Sequence, residues 1–164
     1  METKINGKVM AINISKKRGT QKQEIPAVDL VKGFGLKEDA HGGNWHRQVS
    51  LLSFEKVEDF NKKGAQVGNG AFGENIVVSG FNLREMPVGT ELLIGEAKLV
   101  VTQIGKECHH HCQIYARVGD CIMPREGIFA VVMEGGHIEK GDEIIAIVPD
   151  EMADELSVHV HAGV

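Results

Sequence analysis

Apolar residues in this chain fall in short runs, separated by breaks rich in glycine and polar side chains. Runs of roughly four to eight residues are the mark of strands rather than long helices. Residues 8–14 (KVMAINI) put Val9, Ala11 and Asn13 on one face and Met10, Ile12 and Ile14 on the other. Apolar character on both faces predicts a strand buried on both sides or built into a barrel wall. A weaker strand over 24–31 is expected to break or shift at Pro26, because proline cannot donate to a ladder. Residues 48–52, 75–79 and 143–148 each predict a strand. Residues 90–94 and 98–104 predict a hairpin through Gly95-Glu96, with Leu99, Val101 and Gln103 on one face and Val100, Thr102 and Ile104 on the other. Residues 127–133 are apolar but of ambiguous type, and Gly135-Gly136 turns the chain towards Ile138. One helix is predicted from Ser53, as N-cap, to about residue 63. Phe54, Val57 and Phe60 share a face, Glu55 sits in the first turn, and Gly64 ends it. Residues 33–47 read as a long, glycine-dotted loop, the kind of segment where function concentrates. The expected architecture is mainly β, a barrel-like or sandwich fold with one or two short helices.

Composition narrows the function. At 164 residues the chain is one domain in size. Lysine plus arginine total 18 against 23 acidic residues, a net charge of −5, which leaves no broad basic face for nucleic acid. No apolar run approaches the roughly 20 residues that cross a bilayer, so no membrane partner is expected. Residues 1–6 lack the apolar region of a secretory signal, and a cytoplasmic location is expected. Twenty glycines against four prolines fit a fold of many tight turns. The three cysteines all lie between positions 108 and 121, an odd number that suits metal binding or thiol chemistry better than a disulfide framework.

Three constellations can carry chemistry. Cys108-His109-His110-His111-Cys112, with Cys121 beyond it, gathers six soft or borderline metal ligands in fourteen residues. Cys108, Cys112, Cys121 and one histidine would satisfy tetrahedral zinc. Alternatively, the histidines and Lys106 would lower a thiol pKa and favour the thiolate, a nucleophile and a ligand for soft metals; three small buried hydrophobes are the plain reading. The second constellation is Asp39-x-His41-Gly42-Gly43-x-x-His46-Arg47. Asp39 and His41 could ligate a metal or fix a tautomer, and glycine amides beside His46 and Arg47 suit a phosphate or oxyanion; a hydrogen-bonded loop with a solvated arginine is the alternative. The third is Gly70-Ala71-Phe72-Gly73-Glu74-Asn75, either a ligand-approaching backbone or a turn entering a strand. No Walker, Rossmann, nucleophile-elbow or HExxH pattern is present.

Taken in order, these segments resemble the MOSC family, domains similar to the C-terminal part of molybdenum cofactor sulfurases. The residues that carry the resemblance begin with Gly35-Leu36, Asp39-Ala40-His41-Gly42 and Arg47-Gln48-Val49-Ser50-Leu51-Leu52. They continue through Phe72-Gly73-Glu74-Asn75-Ile76, Gly89-Thr90, Ile94-Gly95, Thr102-Gln103-Ile104-Gly105 and Lys106-Glu107-Cys108. Cys112 and the stretch from Gly119-Asp120-Cys121 through Pro124-Arg125-Glu126-Gly127 to Ala130 complete it. One departure is Glu38, where the family commonly has glycine before the aspartate; the histidines at 109–111 have no counterpart in the pattern.

The resemblance implies a β-barrel-like fold over residues 1–148, followed by a tail, 149–164. It also implies a cysteine that carries sulfur as a persulfide or ligates molybdenum in a pterin cofactor. Cys112, before Gln113-Ile114, matches the family position best, with Cys108 next and Cys121 third. Asp39, His41, His46, Arg47, Glu74, Asn75 and Arg125 are the expected cofactor-binding residues, with Asp39 orienting His41. Implied partners are the molybdenum–pterin cofactor (molybdopterin) and either a sulfur donor such as a cysteine desulfurase or an electron-donor protein. Three classes stay open: a small molybdenum reductase of N-hydroxylated compounds, a sulfur-delivery module, and a zinc-stabilised domain.

Overall fold

The computed structural model describes residues 3–64, 68, 70–105 and 127–149. Cys108, Cys112, Cys121 and Arg125 lie outside them. The elements are β1 (Thr3–Ile14), β2 (Gln23–Ile25), β3 (Ala27–Val31), β4 (Gly35–Leu36), β5 (Val49–Ser53), α1 (Phe54–Lys62), β6 (Ile76–Ser79), β7 (Glu91–Ile94), β8 (Ala97–Ile104), β9 (Ile128–Glu134), β10 (Gly136–Glu139) and β11 (Glu143–Val148).

Seven strands in the order β11-β7-β8-β9-β5-β6-β1 form a sheet that closes on itself through β11 and β1. The fold is therefore a closed β-barrel with one short α-helix among the described residues, as the pattern of short apolar runs predicts. Its interior is filled by side chains such as Val9, Ile12, Leu51, Ile76, Leu92, Leu99, Ile128 and Ile144, all fully buried. A barrel of this size is a packed core, not a pore.

β1 explains its own two-sided pattern. Thr3 to Lys8 pair with β11 along one edge, and Lys8 to Ile12 pair with β6 along the other. Ile12 to Ile14 then pair with β2 on the edge that β11 has left. The strand expected over 24–31 does break at Pro26, and the break has a purpose. β2 stays on the barrel, whereas β3 crosses to a three-stranded sheet with β10 and β4. The ambiguous apolar run over 127–133 is β9, a barrel strand between β8 and β5. The β7–β8 hairpin turns at Gly95-Glu96 as expected, and a register shift between Val101 and Gln103 takes Gln103 out of the core face.

α1 buries Val57 and Phe60, with Phe54 half-buried. Ser53 stands at the N-cap position, but its hydroxyl does not cap the helix; it accepts the Leu83 N–H at 3.0 Å instead. α1 links β5 to β6, a parallel pair, as a crossover connection must. The antiparallel neighbours of that pair, β1 beside β6 and β9 beside β5, therefore bring their opposite termini to one end of the barrel. There the segments entering β5 and β6 meet the end of β1, and Phe129 of β9 stands opposite Ser50 of β5.

Glu38 is the one non-glycine residue at positive φ (68°) among the described residues. The loop thus keeps a shape suited to the glycine that the family pattern has, at the cost a side chain incurs in the left-handed region. Glu38 is exposed, so Glu38→Gly should stabilise the protein by about 0.5–1 kcal/mol, relief of strain outweighing the extra freedom of the unfolded chain. Equilibrium urea unfolding checks this; no change, or a loss, would show the loop unstrained.

Candidate functional site

The barrel end described above carries a cavity of about 260 Å³ lined by His41, Trp45, Arg47, Ser50, Phe72, Gly73, Asn75 and Phe129. Its walls come from the 37–48 loop, β5, the 70–75 loop and β9. Two of the three sequence constellations thus converge on one cavity. The third, residues 108–121, lies outside the described residues, but the chain leaves β8 and re-enters β9 close to the cavity, where Gln103 meets His46 and Phe129 lines the wall. The two points are joined by the Gly105 N–H donating to the Gly127 carbonyl at 2.7 Å.

Arg47 provides the positive wall. Its guanidinium carbon stands 4.8 Å from the centroid of the Trp45 ring and 5.5 Å from that of Phe129. Two aromatic faces hold a cation favourably and restrict its rotamers. The Trp45 indole N–H donates to the His41 carbonyl at 2.9 Å, tying this stack to the next residue of the site. Arg47 Nε is buried and has no hydrogen-bond partner among the described residues. A buried donor left unsatisfied costs roughly 1–3 kcal/mol, so among the described residues this is a position where an acceptor would be favoured.

Beneath the cavity lies a buried polar network centred on a residue that the sequence reading does not single out. Lys22 is 2% exposed. Its ammonium donates to Asp39 Oδ1 at 2.7 Å and lies 3.0 Å from His41 Nδ1. Asp39 also accepts the Ser15 N–H (3.1 Å) on Oδ1 and the Asn75 amide (3.1 Å) on Oδ2. Asn75 donates to the Asn13 carbonyl (3.1 Å), accepts the Ser50 N–H (3.0 Å), and gives its own N–H to the Ser50 carbonyl (2.9 Å). The cation between Asp39 and His41 is therefore an ammonium where a metal was one of the two readings. Among the described residues, no three histidine, cysteine, aspartate or glutamate side chains converge as ligands. Lys22 carries no local signal, since it sits in a polar stretch, Thr20-Gln21-Lys22-Gln23, that reads as solvated surface.

The other expected residues stand as follows. Asp39 is linked to His41 through the Lys22 ammonium. His46 is exposed, with Nε2 at 2.7 Å from Gln103 Oε1, and is not among the cavity-lining residues. Glu74 is buried and turned into its own loop, accepting the Gly70 N–H (3.0 Å) and the Phe72 N–H (3.1 Å). That closure sets the Phe72 ring against the cavity and edge-on to Phe60, 5.4 Å between centroids. Gly70 is required there: a Cβ would lie 2.3 Å from the Lys22 carbonyl oxygen, with φ at +84° besides.

Burial holds the Glu74 carboxyl above the usual carboxylate range, against the opposing pull of the Gly70 and Phe72 amides and the Lys22 charge. A raised value means that the folded protein binds more protons than the unfolded chain above about pH 4.5. Stability from this group is therefore complete below that pH and is lost as pH rises through the folded value. We predict that wild type loses stability relative to Glu74→Gln as pH rises above about 4.5. Parallel stability–pH curves in urea unfolding would contradict this.

Comparison with known proteins gives a consistent fold. Residues 37–145 match the sequence model of the MOSC domain. The YUAD protein from Bacillus subtilis superposes with a TM-score of 0.76 at 19% identity, covering 92% of this chain and 100% of its own. YiiM from Geobacillus stearothermophilus gives 0.65 at 16% identity, with 95% and 86% coverage. YiiM from Escherichia coli gives 0.59 at 13%, with 96% and 94%. No curated protein matches in sequence.

Proposed function

Because the chain belongs to the MOSC domain family, with well over half its length matched, we propose that it binds a molybdenum–pterin cofactor, or hands sulfur to one, at the cavity beside Arg47. The observation that carries this is the arginine itself: a cation fixed between two aromatic rings, with a buried Nε that has no partner among the described residues, beside a cavity of about 260 Å³. These residues fit the acidic end of such a cofactor. A phosphate or oxo group would supply the missing acceptor, and Arg–oxyanion pairs are among the stronger hydrogen-bonded contacts.

In this reading Arg47 and His41 hold the anionic group, Trp45 and Phe129 orient Arg47, and Asn75 and Ser50 keep the cavity floor rigid. Asp39 and Glu74 act from behind, through Lys22 and the 70–74 turn. Arg125 and His46 are retained as candidates for more distant parts of the ligand. Cys112, with Cys108 as second choice, is the thiolate ligand or persulfide carrier, on the segment whose two flanks, Gly105 and Gly127, are joined near the cavity. When bound, the molybdenum centre supplies redox chemistry or accepts sulfur; the protein's residues bind, orient and exclude water. A sulfur donor or an electron donor is the partner this function requires. Zinc on Cys108, Cys112 and Cys121 is the second reading, favoured by the spacing of those cysteines.

Molybdenum and zinc per chain, measured together on anaerobically purified native protein, test the proposal. Near-stoichiometric molybdenum supports cofactor holding, and an extra sulfur mass on the chain supports the carrier form. Zinc near one per chain, with neither of these, overturns both. Arg47→Met keeps the packing and removes the charge, so it should weaken retention of the cofactor about 10- to 100-fold, the worth of one charge-assisted hydrogen bond. Unchanged retention would remove Arg47 from the site.

A further inference from the structure

Beside the cavity, β8 and β9 fall out of step. Val101 stands opposite Ala130 and Gln103 opposite Phe129, so Thr102 is the extra residue of a β-bulge. A bulge breaks the alternation of a strand and re-aims the side chains around it, and bulges gather next to functional sites. Here the side chains of Thr102 and Gln103 both reach residue 46. The Thr102 hydroxyl donates to the His46 carbonyl and lies 3.2 Å from the carbonyl of Phe129. Gln103 takes the ring of the same residue, its Oε1 standing 2.7 Å from His46 Nε2.

The direction of that second bond follows from the other half of the amide. Gln103 Nε2 donates to the Gly105 carbonyl at 2.7 Å. A carbonyl can only accept, so the amide cannot be turned round. Oε1 therefore faces the imidazole, and His46 Nε2 carries a proton and donates it. Gly105 is in turn joined to Gly127 across the strands, which anchors the amide to backbone.

Held by carbonyl and by ring, His46 meets the Trp45 ring in a T-shaped pair, 6.1 Å between centroids at 69°, inside the range of a favourable aromatic contact. Trp45 is one of the two rings that flank the Arg47 guanidinium. The other is Phe129, the register partner of Gln103. Both aromatic holders of the arginine are thus tied to the bulge.

We propose that the Thr102–Gln103 bulge is a positioning device for the anion site: it fixes His46 and, through the Trp45 ring, sets the aim of Arg47. This rests on the reading of the cavity as an anion site and deepens it. His46 thereby gains a task that needs no contact with a ligand. Because His46 is exposed and Gln103 only half-buried, water competes for their bond, which adds little to global stability. Its effect falls on local order instead.

Trp45 is the one tryptophan of the chain, so its fluorescence reports on this site alone. In Gln103→Leu and in Thr102→Val, the fast, local part of the Trp45 anisotropy decay should grow while the urea midpoint stays with wild type. Thr102→Ser keeps the hydroxyl and should keep the wild-type decay. Calorimetric titration with inorganic phosphate should give a dissociation constant about 2- to 10-fold weaker in Gln103→Leu and Thr102→Val, the net worth of one ordinary hydrogen bond. An unchanged decay in both variants overturns the positioning role, whatever phosphate does. A midpoint that falls in step with the decay, with no rescue by Thr102→Ser, overturns it as well, because the fold as a whole has then loosened. Phosphate affinity that holds while Trp45 moves freely breaks the link from Trp45 to Arg47. Wild type that takes up no phosphate overturns the anion site, and the hold on Trp45 is then judged on the anisotropy.

Discussion

Lys22→Met will cost the fold about 3–5 kcal/mol, because it strands the Asp39 carboxylate in a site sealed from water. Asp39 is 2% exposed, and the lysine is its only cation partner at ion-pair distance among the described residues. A loss of that size is a large fraction of the roughly 5–15 kcal/mol by which domains are stable. The cycle with Asp39→Asn identifies the cause. An asparagine side chain at that position can still accept from Ser15 and Asn75 while carrying no charge, so the double variant should recover a good part of the deficit. The coupling should lie at the upper end of the roughly 0.5–3 kcal/mol seen for interacting residues. Urea unfolding of the four proteins measures it. A single-variant loss under about 1 kcal/mol would mean that the pair is no more than an exposed one.

Cys112→Ser should remove the cofactor function and spare the fold. On the cofactor-holding reading, bound molybdenum falls at least about tenfold. On the carrier reading, the extra sulfur mass disappears from the protein. In either case the unfolding midpoint stays close to wild type, because a reactive thiolate is selected for chemistry rather than packing. Cys108→Ser and Cys121→Ser act as internal comparisons and should do less. The zinc alternative makes a different forecast: all three variants lose metal, and chelation of the wild type unfolds it, since structural metal binding is folding free energy. Full molybdenum content and sulfur transfer in Cys112→Ser would refute the assignment of that residue.

The β-barrel is legible in the sequence because its cause is local. Strand runs bounded by glycine, a proline that cannot donate, and an apolar stripe at helical spacing act over a few residues each. Residues 24–31 show how far this goes: the break at Pro26 is readable, but the departure of β3 to a second sheet is not, since β10 is distant in sequence. The 127–133 run is ambiguous because burial on both sides erases the alternation that tells strand from helix. At the site, motif residues Asp39, His41, Arg47 and Asn75 stand out by chemistry and spacing. Lys22 does not, because a lysine among glutamines reads as surface until Asp39 is brought against it. Glu74 is visible as a residue but not in its task, which depends on the direction the 70–74 turn closes.

The pairing of β1 with β11 also sets a clock. The strand at Thr3–Ile14 finds half its ladder only when Glu143–Val148 exists, nearly the whole described chain later. Until then, the edge of β1 that faces β11 has open N–H and C=O groups, the arrangement that invites wrong pairing. Contacts so distant in sequence make folding slow compared with helical proteins of this length. A chain emerging from the ribosome would hold an unfinished barrel until β11 is released. Its yield in a cell would then depend on the speed of that final closure as much as on the stability of the closed state.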